Sequence, residues 1–151
     1  ASRGQAESVS ALLAAGADVS MRNKWGQTAL LAACIAGDLR CVEALLNAGA
    51  EAGVTDDFGM TPLIAAAEQA NDPELLSILL SAGVPVDTGD ENGVTALMKA
   101  ASRGEIELVQ VLIGGGASPA LTDASGRSAA DWALSRDDEA GAAVADYLGT
   151  L

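Results

Sequence analysis

Histidine is absent from this chain, lysine and arginine together number eight, and the aromatic residues are one Phe, one Tyr and two Trp. Without histidine, Ser-His and Cys-His nucleophile pairs are excluded, and neither cysteine has a candidate base beside it. Cys34 and Cys41 alone cannot complete a structural zinc site of four Cys or His ligands. The reading is therefore no catalytic residues, no metal and no cofactor. Eight scattered basic residues against 21 acidic ones leave a net charge of −13, which argues against nucleic acid or anionic lipid held by phosphate neutralisation. No apolar run reaches the roughly 18 residues that a membrane span needs, so no direct membrane insertion is expected, and no charged-then-apolar leader stands before the first repeat signal. With aromatics at 3%, the core has to be built from Ala, Leu and Val, which suits closely spaced helices better than thick sheet faces.

What is present is a period. Gly26-Gln27-Thr28-Ala29-Leu30 returns as Gly59-Met60-Thr61-Pro62-Leu63, as Gly93-Val94-Thr95-Ala96-Leu97 and, degraded, as Gly126-Arg127-Ser128-Ala129-Ala130, at intervals of 33, 34 and 33 residues. Such spacing marks stacked repeats rather than one globular core. In each copy the glycine suits a tight turn with positive φ, and the Thr or Ser hydroxyl suits the N-cap of a helix. The first full copy predicts a helix over 29–36, a break at Gly37, and a second helix carrying Val42, Leu45 and Leu46 on one stripe before a left-handed cap at Gly49. The one-residue insertion falls at Asn71-Asp72-Pro73-Glu74, where Asp72 reads as N-cap and Pro73 as the first helical residue.

The organisation expected is a single all-α solenoid of stacked helix-turn-helix units. It divides into a partial repeat at 1–22, full repeats at 23–55, 56–89 and 90–122, and a more polar C-terminal cap at 123–151. Ala1-Ser2-Arg3-Gly4 repeats Ala101-Ser102-Arg103-Gly104 from late in another copy, so the chain reads as opening in mid-repeat, as a fragment of a longer protein. Cys34 and Cys41 read as buried free thiols of an intracellular, reducing compartment, cytoplasm or organelle stroma. Gly114-Gly115-Gly116, with no Lys-Ser/Thr after it, reads as a helix end rather than a phosphate loop. Asp56-Asp57 reads as turn chemistry rather than a carboxylate dyad.

The phrase Gly-x-Thr-Pro/Ala-Leu, followed by Ala-Ala and then Val-x-x-Leu-Leu-x-x-Gly-Ala, resembles the ankyrin repeat over essentially the whole chain. One departure is plain: where that family usually has His after Thr-Pro-Leu, this sequence has Leu31, Ile64, Met98 and Asp131. The resemblance implies a non-catalytic interaction module, a scaffold or adaptor, whose concave face of hairpin tips and first helices binds another protein or peptide. Tip positions are then Lys24, Trp25 and Gln27; Asp57, Phe58 and Met60; Glu91, Asn92 and Val94; and Ala124, Ser125 and Arg127. The exposed ends of the first helices would add Ile35, Glu68 and Arg103. Trp25 and Phe58 occupy equivalent places in consecutive turns and either cover the neighbouring hairpin or anchor a partner. With Met60 and Val94 they suggest a partner with an apolar centre, and with Asp57, Glu68 and Glu91 one with a basic border. Trp132 is expected to pack within the cap. The alternative is a regulatory or targeting domain of a larger enzyme, or an accessory subunit of a large assembly.

Overall fold

The computed structural model describes residues 2–69 and 72–151; Ala1 and, in the inserted segment, Asn71 lie outside the described residues. Nine helices follow one another among them: α1 (Ser2–Ala14), α2 (Ala29–Ala36), α3 (Leu39–Asn47), α4 (Pro62–Gln69), α5 (Pro73–Ser81), α6 (Ala96–Arg103), α7 (Ile106–Gly114), α8 (Ala129–Leu134) and α9 (Glu139–Gly149). Extended pairing among the described residues is limited to two isolated bridges, Arg22 with Thr28 and Thr122 with Ser128.

The repeated hydroxyl starts each first helix as its spacing requires. Thr28, Thr61 and Thr95 accept from the backbone N–H three residues on, at 3.3, 3.0 and 3.4 Å. In the last copy Ser128 accepts from the Asp131 N–H, and the Asp131 carboxylate accepts in return from the Ser128 N–H at 2.8 Å. This reciprocal box satisfies two helix-end donors at once. The second helices begin behind acidic N-caps, with Asp38, Asp72 and Asp138 each accepting a backbone N–H.

First helices stack on first helices, α2 on α4, α4 on α6 and α6 on α8, while α1 meets α3, α5 meets α7 and α7 meets α9. The core runs between the two layers. Leu30, Leu63 and Leu97 are buried in it, as are Leu31, Ile64 and Met98 at the place where the histidine was missing. Those three side chains carry no polar atom to satisfy, so the stack is joined there by apolar burial. Asp131, in the corresponding place of the last copy, is exposed and serves the capping box instead.

Candidate functional site

The surface in question is built by the four turns that precede the first helices. Each opens on an Asn or Asp whose Oδ1 accepts from the N–H groups two and four residues on. Asn23 takes Trp25 and Gln27, Asp56 takes Phe58 and Met60, Asp90 takes Asn92 and Val94, and Asp123 takes Ser125 and Arg127, all between 2.8 and 3.1 Å. One short side chain thus folds each hairpin on itself. Asp56 is engaged in this way, which fits the turn reading of the Asp56-Asp57 pair. The turns are also joined to one another: Asp57 N–H donates to Trp25 C=O at 3.2 Å, Glu91 N–H to Phe58 C=O at 3.2 Å, and Ala124 N–H to Asn92 C=O at 2.8 Å. The chain thereby makes a continuous ridge.

On that ridge Trp25 and Phe58 are 50% and 55% exposed. Apolar rings held open to water on a fixed backbone are available for contact at little further ordering cost. Lys24 lies over the Trp25 ring, 4.4 Å from its centre, a cation–π contact that steadies the indole from one side. Asp57, Glu91 and Asn92 are exposed beside them.

Two expected tip residues stand elsewhere. Val94 is only 6% exposed and belongs to the core, and Met60 is half-buried against it. The N–H of this residue bonds the opening side chain in every turn, so what separates them is side-chain chemistry: apolar Val94 and Met60 fold in against the core, whereas Arg127 at the same place stays exposed. Val94 is therefore removed from the contact surface, and Met60 forms only its foot. Gln27, at the same place in the first turn, is half-buried and accepts from Asn23 Nδ2 at 3.1 Å.

The ends of the first helices form a second, polar strip. Lys99 Nζ meets Glu68 Oε1 at 3.1 Å, and Arg103 Nη1 donates to the Glu68 carbonyl at 2.6 Å. Arg136 repeats the reach one copy later, donating to the Ser102 carbonyl at 3.3 Å. These guanidinium groups satisfy carbonyls left open at a helix C-terminus. Glu68 and Arg103 are thus brought together, partly exposed and already engaged across the repeat boundary. Ile35, at the end of α2, is exposed.

Beyond the third turn lies a polar hollow of about 320 Å³ bordered by Asp90, Lys99, Asp123, Arg127 and Trp132. Its hub is Asp123, buried at the turn. Besides the two backbone N–H groups, its carboxylate accepts from Arg127 Nε at 3.0 Å and Trp132 Nε1 at 3.0 Å. The Arg127 guanidinium also lies 4.3 Å over the Trp132 ring. The Arg127 backbone N–H, with the Ser125 N–H and the Arg127 and Trp132 side chains, holds the Asp123 carboxyl below the usual range against the opposing effect of burial. Trp132 packs within the cap, as expected.

Sequence reasoning missed the Lys24–Trp25 contact, the arginines that cap the preceding repeat, and the shared turn-opening residue. Only the last had a signal, since Asn23, Asp56, Asp90 and Asp123 stand at the same intervals as the glycines. Among the described residues no group of three or more His, Cys, Asp or Glu side chains is placed to hold a metal ion, and no helix is long and apolar enough to cross a membrane. A family model described as ankyrin repeats (3 copies) matches residues 1–90 and 64–148. A search of curated proteins finds no match to the chain.

Proposed function

The chain belongs to the ankyrin-repeat family, whose members generally serve protein–protein interaction, and we propose that it is a non-catalytic scaffold or adaptor binding a protein or peptide across the ridge of turns and the adjoining ends of the first helices. The observation that carries this reading is the pair Trp25 and Phe58, large apolar side chains exposed on consecutive, mutually hydrogen-bonded turns. Around them Asp57, Glu91 and Asn92 supply an acidic and polar rim, and Ile35, Glu68 and Arg103 extend the contact along the helix ends. Gln27 and Met60 contribute edges rather than anchors.

The partner this surface fits has an apolar centre and a basic border. With a net charge of −13, encounter is steered by the rim over a Debye length of about 10 Å, so association slows as salt rises. Two buried free thiols support an intracellular, reducing setting, since such side chains are stable where disulfides are not formed. The test is affinity capture with this domain beside its Trp25→Ala and Phe58→Ala variants, with bound proteins identified by mass spectrometry. A specific partner should lose about 2 kcal/mol or more of binding on each truncation, while thermal unfolding changes far less. Normal binding by both folded variants would move the contact to the second helices.

A further inference from the structure

The polar hollow beyond the third turn is made by side chains that the earlier copies do not carry. Four residues after each capping hydroxyl stand Ala32 and Ala65 in the first two full copies, but Lys99 and Trp132 in the next two. The turns change as well: the place held by Gln27, Met60 and Val94 is held by Arg127 in the last copy. Lys99, Arg127 and Trp132 all line the hollow, with Asn92 and Ser125 from the two turns that border it. Alanine thus gives way to an ammonium, a guanidinium and an indole around one cavity.

Arg127 is the group that points to a ligand. Its Nε donates to Asp123 Oδ2 at 3.0 Å, its Nη2 lies 2.8 Å from the same oxygen, and its central carbon sits 4.3 Å over the Trp132 ring. That oxygen is fixed in turn by the Trp132 indole N–H at 3.0 Å, and Asp123 is buried. A guanidinium has two edges that can each meet a carboxylate through paired N–H groups. The Nε–Nη2 edge is spent on Asp123. The outer edge, through Nη1, makes no hydrogen bond to the described residues, and the side chain is 48% exposed. Since the group is already ordered, meeting a second carboxylate costs little conformational entropy.

The acids around the hollow leave this edge available. Asp123 accepts from the Ser125 and Arg127 backbone N–H groups as well as from the two side chains, and Asp90 Oδ1 takes the N–H groups of Asn92 and Val94. Lys99 gives one N–H to Glu68 at 3.1 Å and keeps two. The capacity left in the lining is therefore chiefly that of donors: the Lys99 ammonium, the outer edge of Arg127, the Asn92 amide and the Ser125 hydroxyl, with Asp90 Oδ2 as the charged acceptor set against them. Backbone donors are spent, because the Ala124 N–H goes to Asn92 C=O and those of Ser125 and Arg127 go to Asp123. A chain-terminal carboxylate is captured by such N–H groups. A side-chain carboxylate needs only the side-chain donors present here.

From this arrangement we infer that the hollow is a carboxylate subsite, receiving an acidic side chain of the protein or peptide that lies across the ridge of turns. Its carboxylate meets the outer edge of Arg127, with the Lys99 ammonium in the same lining. The inference rests on the ridge reading and adds to it one acidic anchor within an otherwise basic border. A net charge of −13 gives such a group no long-range attraction, so the subsite fixes register and specificity rather than the rate of encounter.

The probe is N-acetylglutamate α-amide, which has a side-chain carboxylate and no terminal charge, titrated into the intact chain and followed by amide and indole chemical shifts. It should move the Trp132 indole N–H and the amides of Asn92 and Ser125, and leave those of Trp25 and Phe58 in place. N-acetylglutamine α-amide should move none of them. Arg127→Lys keeps the charge and loses the paired edge, and should weaken binding about tenfold. Lys99→Gln should weaken it too, and leaves the Asp123 cluster whole, so it decides the matter if Arg127→Lys loosens the cap. No response, an equal response to the glutamine probe, or undiminished binding by both variants would overturn the inference. So would a stronger response to N-acetylleucine, whose one carboxylate is terminal. The probe needs no partner, so these failures leave the ridge reading standing, whereas that reading falls with Trp25→Ala and Phe58→Ala in the capture assay. There Arg127→Lys should also weaken the captured partner about tenfold, and unchanged capture would separate the subsite from the partner and overturn the inference as well.

Discussion

Replacing Gly59 by alanine tests whether the turns really hold one another in place. Gly59 sits at φ +76°, and a Cβ there would lie 2.9 Å from the Glu91 amide nitrogen and 3.1 Å from the Asp90 backbone. Two penalties add. The left-handed backbone costs a residue with a Cβ about 1–2 kcal/mol. The neighbouring turn must also move, and the atom in the way is the nitrogen that donates to Phe58 C=O, so that bond is lost or stretched at roughly 1 kcal/mol. The sum is about 2–3 kcal/mol for Gly59→Ala. Gly126 supplies the control. It has the same backbone, φ +78°, and a Cβ there would meet nothing within 4 Å, so Gly126→Ala should cost the first penalty alone. Urea unfolding of both variants measures the difference directly. If the two lose equal stability, the bonds between turns contribute nothing and the ridge is not a rigid platform.

Three further outcomes follow from the side-chain environments. Burial pushes the Cys34 thiol up to about 12, and Cys41 is buried too, so both should resist a disulfide reagent at pH 8 until urea unfolds the chain; rapid labelling of the native protein would contradict their burial. Cys34→Ala with Cys41→Ala should lower stability by about 1–3 kcal/mol through cavities, with partner binding intact in the affinity-capture assay. The depressed carboxyls of Asp123, Asp131 and Asp138 stabilise the C-terminal cap above the ordinary carboxylate value of about 4, and that stability is lost as pH falls through their lowered values. In a Trp25→Phe background, Trp132 fluorescence should report this acid loosening, and Asp123→Asn should reduce it; an unchanged acid profile would remove Asp123 from the account.

Much of the fold was legible because the rules that start and stop these helices are local. Thr28 and Ala29 mark the start of α2 within four residues, Gly37 ends it at φ +65°, and Asp72 with Pro73 opens α5 despite the insertion. The site was legible only in part. Trp25 and Phe58 share a place in the period and both face water. Val94 shares with Gln27, Met60 and Arg127 both its place and the N–H bond to the residue that opens the turn, yet of the four it alone is fully buried against the core. The reach of Arg103 to Glu68 and of Arg136 to Ser102 spans a repeat boundary; it depends on how far one helix pair is displaced from the next, a quantity absent from the spacing of residues.

The interaction surface itself is tested most directly by site-specific photocrosslinking. A photoreactive phenylalanine analogue at position 58, on the ridge, and at position 110, exposed on α7, would each be irradiated in the presence of captured partner. The ridge account predicts a covalent adduct from position 58, suppressed by Trp25→Ala and by high salt, with none from position 110. An adduct from position 110 and none from position 58 would contradict it.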